Sequence, residues 1–398
     1  MKKNFRRYSQ SLELMEKKNN NMNSISHNQH AAFLSEIIGP RLAGTKQEAK
    51  AADYIADQFK QIGLDTSIEE FKFLNWMPVS NPVLQILTPK QMELELAPMG
   101  YTLPSPPEGV EGILKKTGCM VLIPKIKEWI RYGITDEAGN DLAFLVKNPA
   151  DGDPSPFPSG RPLLPQIGAI IGKNQAEMID RWIDEGVEVR VRLINQCCQE
   201  VDTSGNVLAK YGDGDPDIVV CAHYDSQYLA PGAVDNGSGI QALLEIAGEI
   251  VSERCDYNIL FAAFGAEEPG LLGSKAFVFR QQELGKIGSI RACVNFDMMG
   301  CGNEIAIRTG CGMDALVDEM IRTFEGKTGY PVKKVAVTST SDNWNFHEAG
   351  ISNLQFVGQP FPVYHLPADT MEFYDEKMVT DCIKMGIWVI NKLIKSSK

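Results

Sequence analysis

The sequence predicts an α/β protein whose central sheet is mixed but mostly parallel, is flanked by helices and is interrupted in the chain by an inserted β-rich domain. Two observations support this prediction. From about residue 196 onward, apolar strand-like runs alternate with helix-like runs, which is typical of parallel sheets covered on both faces. Between about residues 80 and 195, prolines are frequent and the β-like runs are short. A chain of 398 residues is also long for one average domain.

The first predicted helix lies in the stretch "TKQEAKAADYIADQFKQIGLD". Thr45 and Glu48 have the spacing of a capping box, and Gly63 stands where a helix commonly ends. A strand, "SIEEFKF", follows the helix. Residues 25–80 and 196–398 are predicted to form the main domain, whereas residues 1–24 are polar and are expected to be an arm without a catalytic role.

Residues 81–195 are predicted to form the inserted domain. Its β-like runs include "GCMVLIP" and "VEVRVRL", and a helix is expected at about residues 174–185. The insertion leaves the chain before the first strand that carries a candidate ligand, so we expect it to wall or cover a site rather than to build one.

Composition narrows the class of partner. A formal net charge of −12 argues against nucleic acid or an anionic membrane and favours a small or peptidic substrate. The sequence contains neither an export signal nor a run of about 18 apolar residues. Its nine cysteines form no CxxC pair, so free thiols and a cytoplasmic location are expected. The oligomeric state is not indicated.

Polar side chains of metal-binding type follow four of the predicted strands. In such sheets, ligands bind beyond the carboxyl ends of the strands. The strands "DIVVCA", "NILFAAF", "RACVNF" and "NLQFVG" are followed by these candidates: His223 and Asp225, with Asp235 in the next turn, Glu267 and Glu268, Asp297, and His365. Each residue alone is a weak signal, but one metal site would explain all of them.

The candidate ligands form a set of two histidines and three carboxylates, which suits zinc, with manganese or cobalt as substitutes. Five ligands exceed what one tetrahedral zinc with an open position needs, so two Zn²⁺ ions and a bridging carboxylate are predicted. Asp235 is the candidate bridge because the glycines after it let the backbone approach closely. Asp225 is expected to accept the second imidazole N–H of His223.

The adjacent residues Glu267 and Glu268 are predicted to have different roles. One carboxylate is expected to bind metal, and its neighbour to take a proton from an activated water and return it to a leaving amine. Hydrolysis is therefore the predicted reaction.

The chain resembles the zinc aminopeptidases related to bacterial leucyl aminopeptidase, aminopeptidase Y and glutamate carboxypeptidase. The similarity covers about residues 31–80 and 196–395. It is carried by "GPRLAGTKQEAKAADYIADQFKQIGLD", "VVCAHYDS", "AVDNGSG", "FGAEEPGLLGS", "NFDMMG", "TSDNWNFHEAGI" and "YHLPADT". The resemblance implies the phosphorylase/hydrolase-like fold of zinc exopeptidases.

The resemblance also implies a role for each candidate. Asp235 would bridge two zinc ions, with Glu268 and His365 completing one site and His223 and Asp297 the other. Glu267 would be the general base, and the peptide bond from Asp235 to Asn236 would be cis. The end of the insertion, "IGAIIGKNQAEMIDRWIDEGVEVRVRL", resembles a protease-associated domain.

Further residues resemble the lining of a substrate cleft. Ser341 and Asp342 lie in a stretch similar to a cleft-lining loop of the family, where Asp342 would cap the following helix or help to hold a substrate amine. Tyr364, just before His365, would line the cleft or pack.

The preferred function is removal of amino-terminal residues from peptides that carry a free α-amino group. Carboxypeptidases and glutaminyl cyclases on the same fold are alternatives. The cyclases resemble single-zinc sites, and the sequence does not place Arg308 or Arg322 where a carboxypeptidase needs a cation. A metal-free binding protein similar to the transferrin receptor is disfavoured because all five ligands are present.

Overall fold

The computed structural model describes residues 28–120, 129–147, 165–253 and 257–395, so the predicted arm lies outside the described residues. In chain order, the helices of this part are α1 (Gln29–Ala32), α2 (Lys46–Ile62), α3 (Lys173–Asp184), α4 (Ser238–Glu253), α5 (Leu272–Glu283), α6 (Asp314–Phe324), α7 (Asn343–Glu348) and α8 (Glu376–Lys395). A π-helical segment, Phe33–Ile38, continues α1, and a 3₁₀ turn spans Ile287–Ser289.

Within the described residues, the strands form two sheets of eight strands each. Their bounds are β1 (Asp65–Pro78), β2 (Val83–Thr88), β3 (Met92–Glu95), β4 (Ala97–Pro98), β5 (Val110–Met120), β6 (Trp129–Thr135), β7 (Asp141–Lys147), β8 (Ile167–Ile171), β9 (Arg190–Ile194), β10 (Cys197–Tyr211), β11 (Ile218–His223), β12 (Ile259–Phe264), β13 (Ala292–Phe296), β14 (Glu304–Gly310), β15 (Val332–Ala336) and β16 (Ser352–Gln359).

The first sheet has the order β1-β10-β12-β11-β13-β16-β14-β15. Its centre is parallel, because β12, β11, β13 and β16 pair in the same direction. The pair β14–β15 is also parallel, whereas the pairs β1–β10, β10–β12 and β14–β16 are antiparallel. The four central strands therefore end at one edge of the sheet, as the sequence predicts.

Helices cover both faces of this sheet. Because side chains alternate across a strand, Val220 points to one face and its neighbour Cys221 to the other. The first face packs against α2, α4, α6 and α8, and the second packs against α5 and α7. The predicted mixed α/β class is confirmed.

Helix α2 begins as predicted in one respect and differs in another. The Thr45 hydroxyl accepts the N–H of Glu48, and Gly63 ends the helix with a left-handed φ of 95°. The reciprocal half of the predicted capping box is wrong, because the Glu48 carboxylate accepts the N–H of Gly44 instead. The N–H of Thr45 is already bonded to the carbonyl of Leu42.

The second sheet uses only strands between Val83 and Ile194, in the order β3-β2-β9-β5-β6-β7-β8-β4. Helix α3 packs on it through Ala176 and Ile179. Strand β9 follows α3 and lies between β2 and β5. The predicted run "GCMVLIP" reaches Met120 in β5, and its remainder lies outside the described residues.

The two sheets meet at a small apolar cluster of Trp76, Tyr101 and Cys197. The Trp76 indole N–H donates to the carbonyl of Thr102 (2.9 Å), and the Tyr101 hydroxyl donates to the carbonyl of Leu74 (3.0 Å). Trp76 belongs to β1 of the first sheet, so these bonds fix the second unit against the first.

Among the described residues, the helices all fall short of the length and apolar character that crossing a membrane requires.

Candidate active site

The parallel strands deliver the candidate residues to one edge of the first sheet. His223 is the last residue of β11, and Asp297 directly follows β13. Glu267 and Glu268 lie three and four residues beyond β12, and His365 lies in the loop after β16. Asp235 comes from an irregular turn, Ala233–Gly237, that leads into α4.

The structure brings all five predicted ligands together in two groups of three. One group is His223, Asp235 and Asp297, and the other is Asp235, Glu268 and His365. Within each group, the candidate ligand atoms lie within 4.8 Å of one another. All five side chains are buried. Asp235 is the residue common to both groups.

The carboxylate of Asp235 faces both histidines, one with each oxygen. Its Oδ1 lies 3.2 Å from Nε2 of His223, and its Oδ2 lies 3.6 Å from Nε2 of His365. The peptide bond after it, to Asn236, is cis, as the resemblance implies. This orientation is the one that a carboxylate shared between two cations would need.

Each group is completed by one further carboxylate. Asp297 Oδ1 lies 3.3 Å from Nε2 of His223, and Glu268 Oε2 lies 3.2 Å from Nε2 of His365. Glu267 stands apart from both groups, with its Oε2 4.0 Å from Nε2 of His223. The two adjacent glutamates are thus placed differently, one within a ligand group and one beside it.

Burial and crowded negative charge dominate the electrostatics. Burial raises the pKa of Glu267 well above its ordinary value, and the neighbouring Asp297, Asp342 and Glu268 carboxylates add to the shift against the opposing His223. Burial, followed by Glu268, raises the pKa of Asp235 to about 6. Such shifts are typical of groups that exchange protons near neutral pH, and of carboxylates gathered around a cation site.

Asp225 lies beside His223 and also contacts the turn that carries Glu267 and Glu268. Its Oδ1 lies 3.4 Å from Nδ1 of His223, but the pair lacks hydrogen-bond geometry, and this imidazole nitrogen has no hydrogen-bond partner. The carboxylate instead accepts the backbone N–H groups of Glu267 (3.0 Å) and Glu268 (3.1 Å). Asp225 therefore holds the glutamate turn more firmly than it holds the imidazole.

Asp342 stands at the start of α7 without a side-chain cap, so the predicted capping role is wrong. Both of its carboxylate oxygens are buried without a hydrogen-bond partner. Burial raises its pKa to about 7, with Asp297 and Asp225 adding and His223 opposing. Asp342 is therefore coupled by charge to His223 and Asp297.

Tyr364 stacks on the ring of His365, with ring centroids 3.6 Å apart, and keeps 36% of its surface exposed. Burial of its hydroxyl raises the pKa of Tyr364, and Asp235 and Glu268 raise it further. Tyr364 therefore lies at the border between the buried carboxylates and solvent, where a cleft residue is expected.

Two buried residues that support the site were missed as functional residues. Asp369 accepts the backbone N–H groups of Val234 (2.9 Å) and Asp235 (3.0 Å). Arg41, fully buried, donates to backbone carbonyls on both sides of the site: those of Tyr224 (2.8 Å), Pro231 (2.6 Å), Gly232 (3.1 Å), Leu34 (3.1 Å) and Gly39 (3.1 Å). Asp369 lies in the stretch "YHLPADT" and Arg41 in "GPRLAG". Both stretches carry the family resemblance, and this was the sequence signal that could have identified the two residues.

The donor set fits divalent zinc. Imidazole nitrogens and carboxylate oxygens are zinc ligands, and the two groups share one carboxylate. Glu268 Oε1 is buried without a hydrogen-bond partner, which is costly unless a cation or another donor meets it. Two ligand groups of this kind at the carboxyl edge of an α/β sheet are typical of metal-dependent hydrolases.

Comparison with known proteins specifies the family. Residues 206–387, which include all five candidate ligands, match the model of peptidase family M28. Residues 206–387 are thus similar to peptidase family M28, and the predicted resemblance to the zinc exopeptidases is confirmed.

Relatives extend the similarity beyond that domain. Aminopeptidase YwaD of Bacillus subtilis is 29% identical over 393 residues, which cover 92% of this chain and 84% of the relative. The solved structure of BSAP, a zinc aminopeptidase from Bacillus subtilis, has a TM-score of 0.71 and 27% identity, covering 92% of this chain and 94% of that one. An aminopeptidase from Aneurinibacillus sp. strain AM-1 shares the fold, with a TM-score of 0.72 at 23% identity, covering 92% and 93% of the two chains.

Proposed function

We propose that this protein is a zinc-dependent aminopeptidase that holds two Zn²⁺ ions and hydrolyses the first peptide bond of peptides. The observation that carries the proposal is the position of Asp235, whose two oxygens face His223 and His365 separately. The names of the most similar relatives, which are aminopeptidases and in one case a zinc aminopeptidase, support the same function.

In this proposal, His223, Asp235 and Asp297 hold one ion, and Asp235, Glu268 and His365 hold the other. Bound zinc supplies Lewis-acid chemistry, because it polarises a carbonyl and lowers the pKa of a water molecule toward about 7. Glu267 belongs to neither group, and its Oε2 lies 4.0 Å from Nε2 of His223 in the first group. It takes a proton from the attacking water and returns it to the leaving amine.

The raised pKa of Glu267 supports this assignment. A general base works best when its pKa lies near the working pH, and burial moves a carboxylate in that direction. Asp225 fixes the position of Glu267 by accepting its backbone N–H. Tyr364 and Asp342 border the reacting centre, Tyr364 on the solvent side and Asp342 within the buried cluster.

The substrate is proposed to need a free α-amino group. A cationic amine is attracted to a cavity that gathers this many carboxylates. Nη1 of Arg308 donates to Thr340 (2.8 Å) and Gln355 (3.3 Å), so this nitrogen is bonded within the protein. The unit between Val83 and Ile194 is proposed to be a protease-associated-like domain that walls the cleft, and the location is proposed to be cytoplasmic.

The test compares leucyl-anilide, its N-acetylated form and blocked dipeptides on zinc-loaded protein. We expect cleavage of the free-amine substrate alone, and elemental analysis is expected to saturate at two zinc ions per chain. Equal rates for the acetylated anilide would reject the amine requirement. Cleavage restricted to peptides with a free carboxyl terminus would instead identify a carboxypeptidase, and saturation at one ion would reject the dinuclear site.

A further inference from the structure

The two oxygens of Asp297 have different surroundings. Oδ1 faces His223, at 3.3 Å from its Nε2. Oδ2 points away and accepts two hydrogen bonds, from the Ser341 hydroxyl (2.5 Å) and from the side-chain amide of Gln355 (3.2 Å). A carboxylate held in this way offers one oxygen to a cation and keeps the other engaged.

The amide of Gln355 has a fixed orientation. Its Oε1 accepts from Nη1 of Arg308 at 3.3 Å. An arginine side chain only donates hydrogen bonds, so the oxygen of the amide must face Arg308 and the NH₂ group must face Asp297. Arg308 and Gln355 are directly opposed partners on β14 and β16, which keeps the two side chains in contact.

Gln355 is completely buried, so water cannot replace its hydrogen bond without a change in packing. Because Arg308 fixes the side-chain amide of Gln355, the nitrogen of that amide is a neutral hydrogen-bond donor at a fixed position. It restrains the rotation of the Asp297 carboxylate without adding charge to the ligand cluster.

We propose that Gln355 is a positioning residue that, with Ser341, holds Oδ2 of Asp297 so that Oδ1 faces the cation site, and that Arg308 supports Gln355 by fixing its amide. This inference rests on the proposed function, because it assumes that Asp297 is a metal ligand. The proposal therefore predicts that Gln355 affects the affinity of the site formed by His223 and Asp297, and not that of the site formed by Glu268 and His365.

The experiment measures stepwise metal binding by competition with a chelating dye, together with the visible absorption of the Co²⁺-loaded protein. Gln355→Leu is expected to weaken one of the two binding steps by about 10- to 100-fold, the usual effect of losing a partner of a ligand, and to leave the other unchanged. The Co²⁺ spectrum should change because Asp297 Oδ2 is then held by the Ser341 hydroxyl alone and the carboxylate is less restrained.

Arg308→Met supplies a second variant that leaves Gln355 in place. It is expected to weaken the same step by a smaller factor. The positive charge of Arg308 also acts directly on Asp297, so the double variant is expected to be weakened by less than the product of the two single effects. Gln241→Leu is the matched control. Gln241 is also buried, but it bonds the backbone of His30 and Ala31 in α1, so both metal steps should remain as in the wild type.

The outcomes separate this inference from the proposed function. Wild-type protein that binds two ions, with both steps unchanged in Gln355→Leu or with additive effects in the double variant, overturns the role of Gln355 alone. Wild-type protein that never binds a second ion contradicts the proposed function and this inference with it.

Discussion

Asp369 accepts the backbone N–H of Asp235, with 3.0 Å between Asp369 Oδ2 and the Asp235 nitrogen, and its other oxygen accepts the N–H of Val234. Asp225 binds the N–H groups of Glu267 and Glu268 in the same manner. In both cases a buried aspartate holds the backbone of a segment that carries candidate ligands. The ligand side chains remain free to face the centre of the site.

The first prediction concerns this backbone contact. Asp369→Asn replaces one accepting oxygen by an NH₂ group that cannot accept an N–H, so one of the two bonds to Val234 and Asp235 is lost. We expect metal affinity to fall by about 10- to 100-fold, as is usual when the support of a ligand is removed. Isothermal titration with zinc measures the change.

Asp375→Asn is the control for this prediction. Asp375 likewise accepts a backbone N–H, that of Met378 at the start of α8, but it contacts none of the candidate ligands. Its loss should lower the free energy of unfolding by about 1 kcal/mol and leave metal affinity unchanged. Equal metal affinity in Asp369→Asn and the wild type would contradict a supporting role for Asp369.

The second prediction separates proton transfer from metal binding. Glu267→Gln is expected to keep both zinc ions and to lose turnover by at least about 100-fold, since Glu267 moves protons without being a ligand. Asp235→Asn is expected to lose metal, because an amide is a poor bridge between cations. Elemental analysis and the rate of leucyl-anilide cleavage distinguish the two variants.

An empty site in Glu267→Gln would show that this glutamate, rather than Glu268, belongs to the ligand set. Near-normal turnover in the same variant would show that another group transfers the proton. Both observations use protein whose fold is checked by circular dichroism.

The sequence predicted where the site lies because its five candidate ligands follow strands or turns, and parallel strands end at one edge of a sheet. His223 and Asp297, from β11 and β13, meet at that edge although 74 positions separate them in the chain. The alternation of strands and helices was sufficient for this prediction.

The supporting residues were harder to predict because their roles depend on contacts between distant segments. Arg41 donates to the carbonyls of Tyr224, next to His223, and of Gly232, near Asp235. The sequence around Arg41 indicates only a loop. Gln355 lies inside β16, where nothing in the local pattern distinguishes a glutamine that faces Asp297 from a packing residue. A role of this kind becomes visible only when the partner of each buried polar atom is known.

The third prediction concerns Glu48, which is buried and accepts hydrogen bonds from Gly44, Ser204 and Ala266. Burial raises its pKa to about 8, and Asp225 adds to the shift. The folded protein therefore binds a proton that the unfolded chain releases near pH ~4.3. Its contribution to stability is fully present below that pH and is lost as the pH rises to about 8.

Urea denaturation from pH 4 to 9 checks this dependence. The difference in unfolding free energy between the wild type and Glu48→Gln should fall between about pH 4.3 and 8 with a slope of at most ~1.4 kcal/mol per pH unit, then level off. Ligand carboxylates titrate in both proteins and cancel in the difference. The exposed Glu372→Gln is expected to follow the wild type at every pH, and parallel curves for Glu48→Gln would reject the assignment.

The last prediction concerns the second sheet and the length of the substrate. A cavity at its contact with the first sheet is lined by Trp76, Tyr101, Gln227, Tyr228 and other residues. Gln227 donates to Glu268 Oε2 at 2.9 Å, so this cavity adjoins the ligand groups from the side of the second unit. None of the candidate ligands comes from that unit.

We therefore expect Tyr228→Ala, which alters the wall of this cavity without touching a candidate ligand, to change cleavage of leucyl peptides more than cleavage of leucyl-anilide. An apolar contact of this size is worth about a tenfold change in kcat/KM. Phe279→Ala, which removes an exposed aromatic ring from α5, is the control and should affect neither substrate. The measurement is kcat/KM for leucyl-anilide and for leucyl di-, tri- and tetrapeptides. If Tyr228→Ala changes the anilide and the peptides by the same factor, the cavity between the two sheets does not select substrates by the residues on the carboxyl side of the scissile bond.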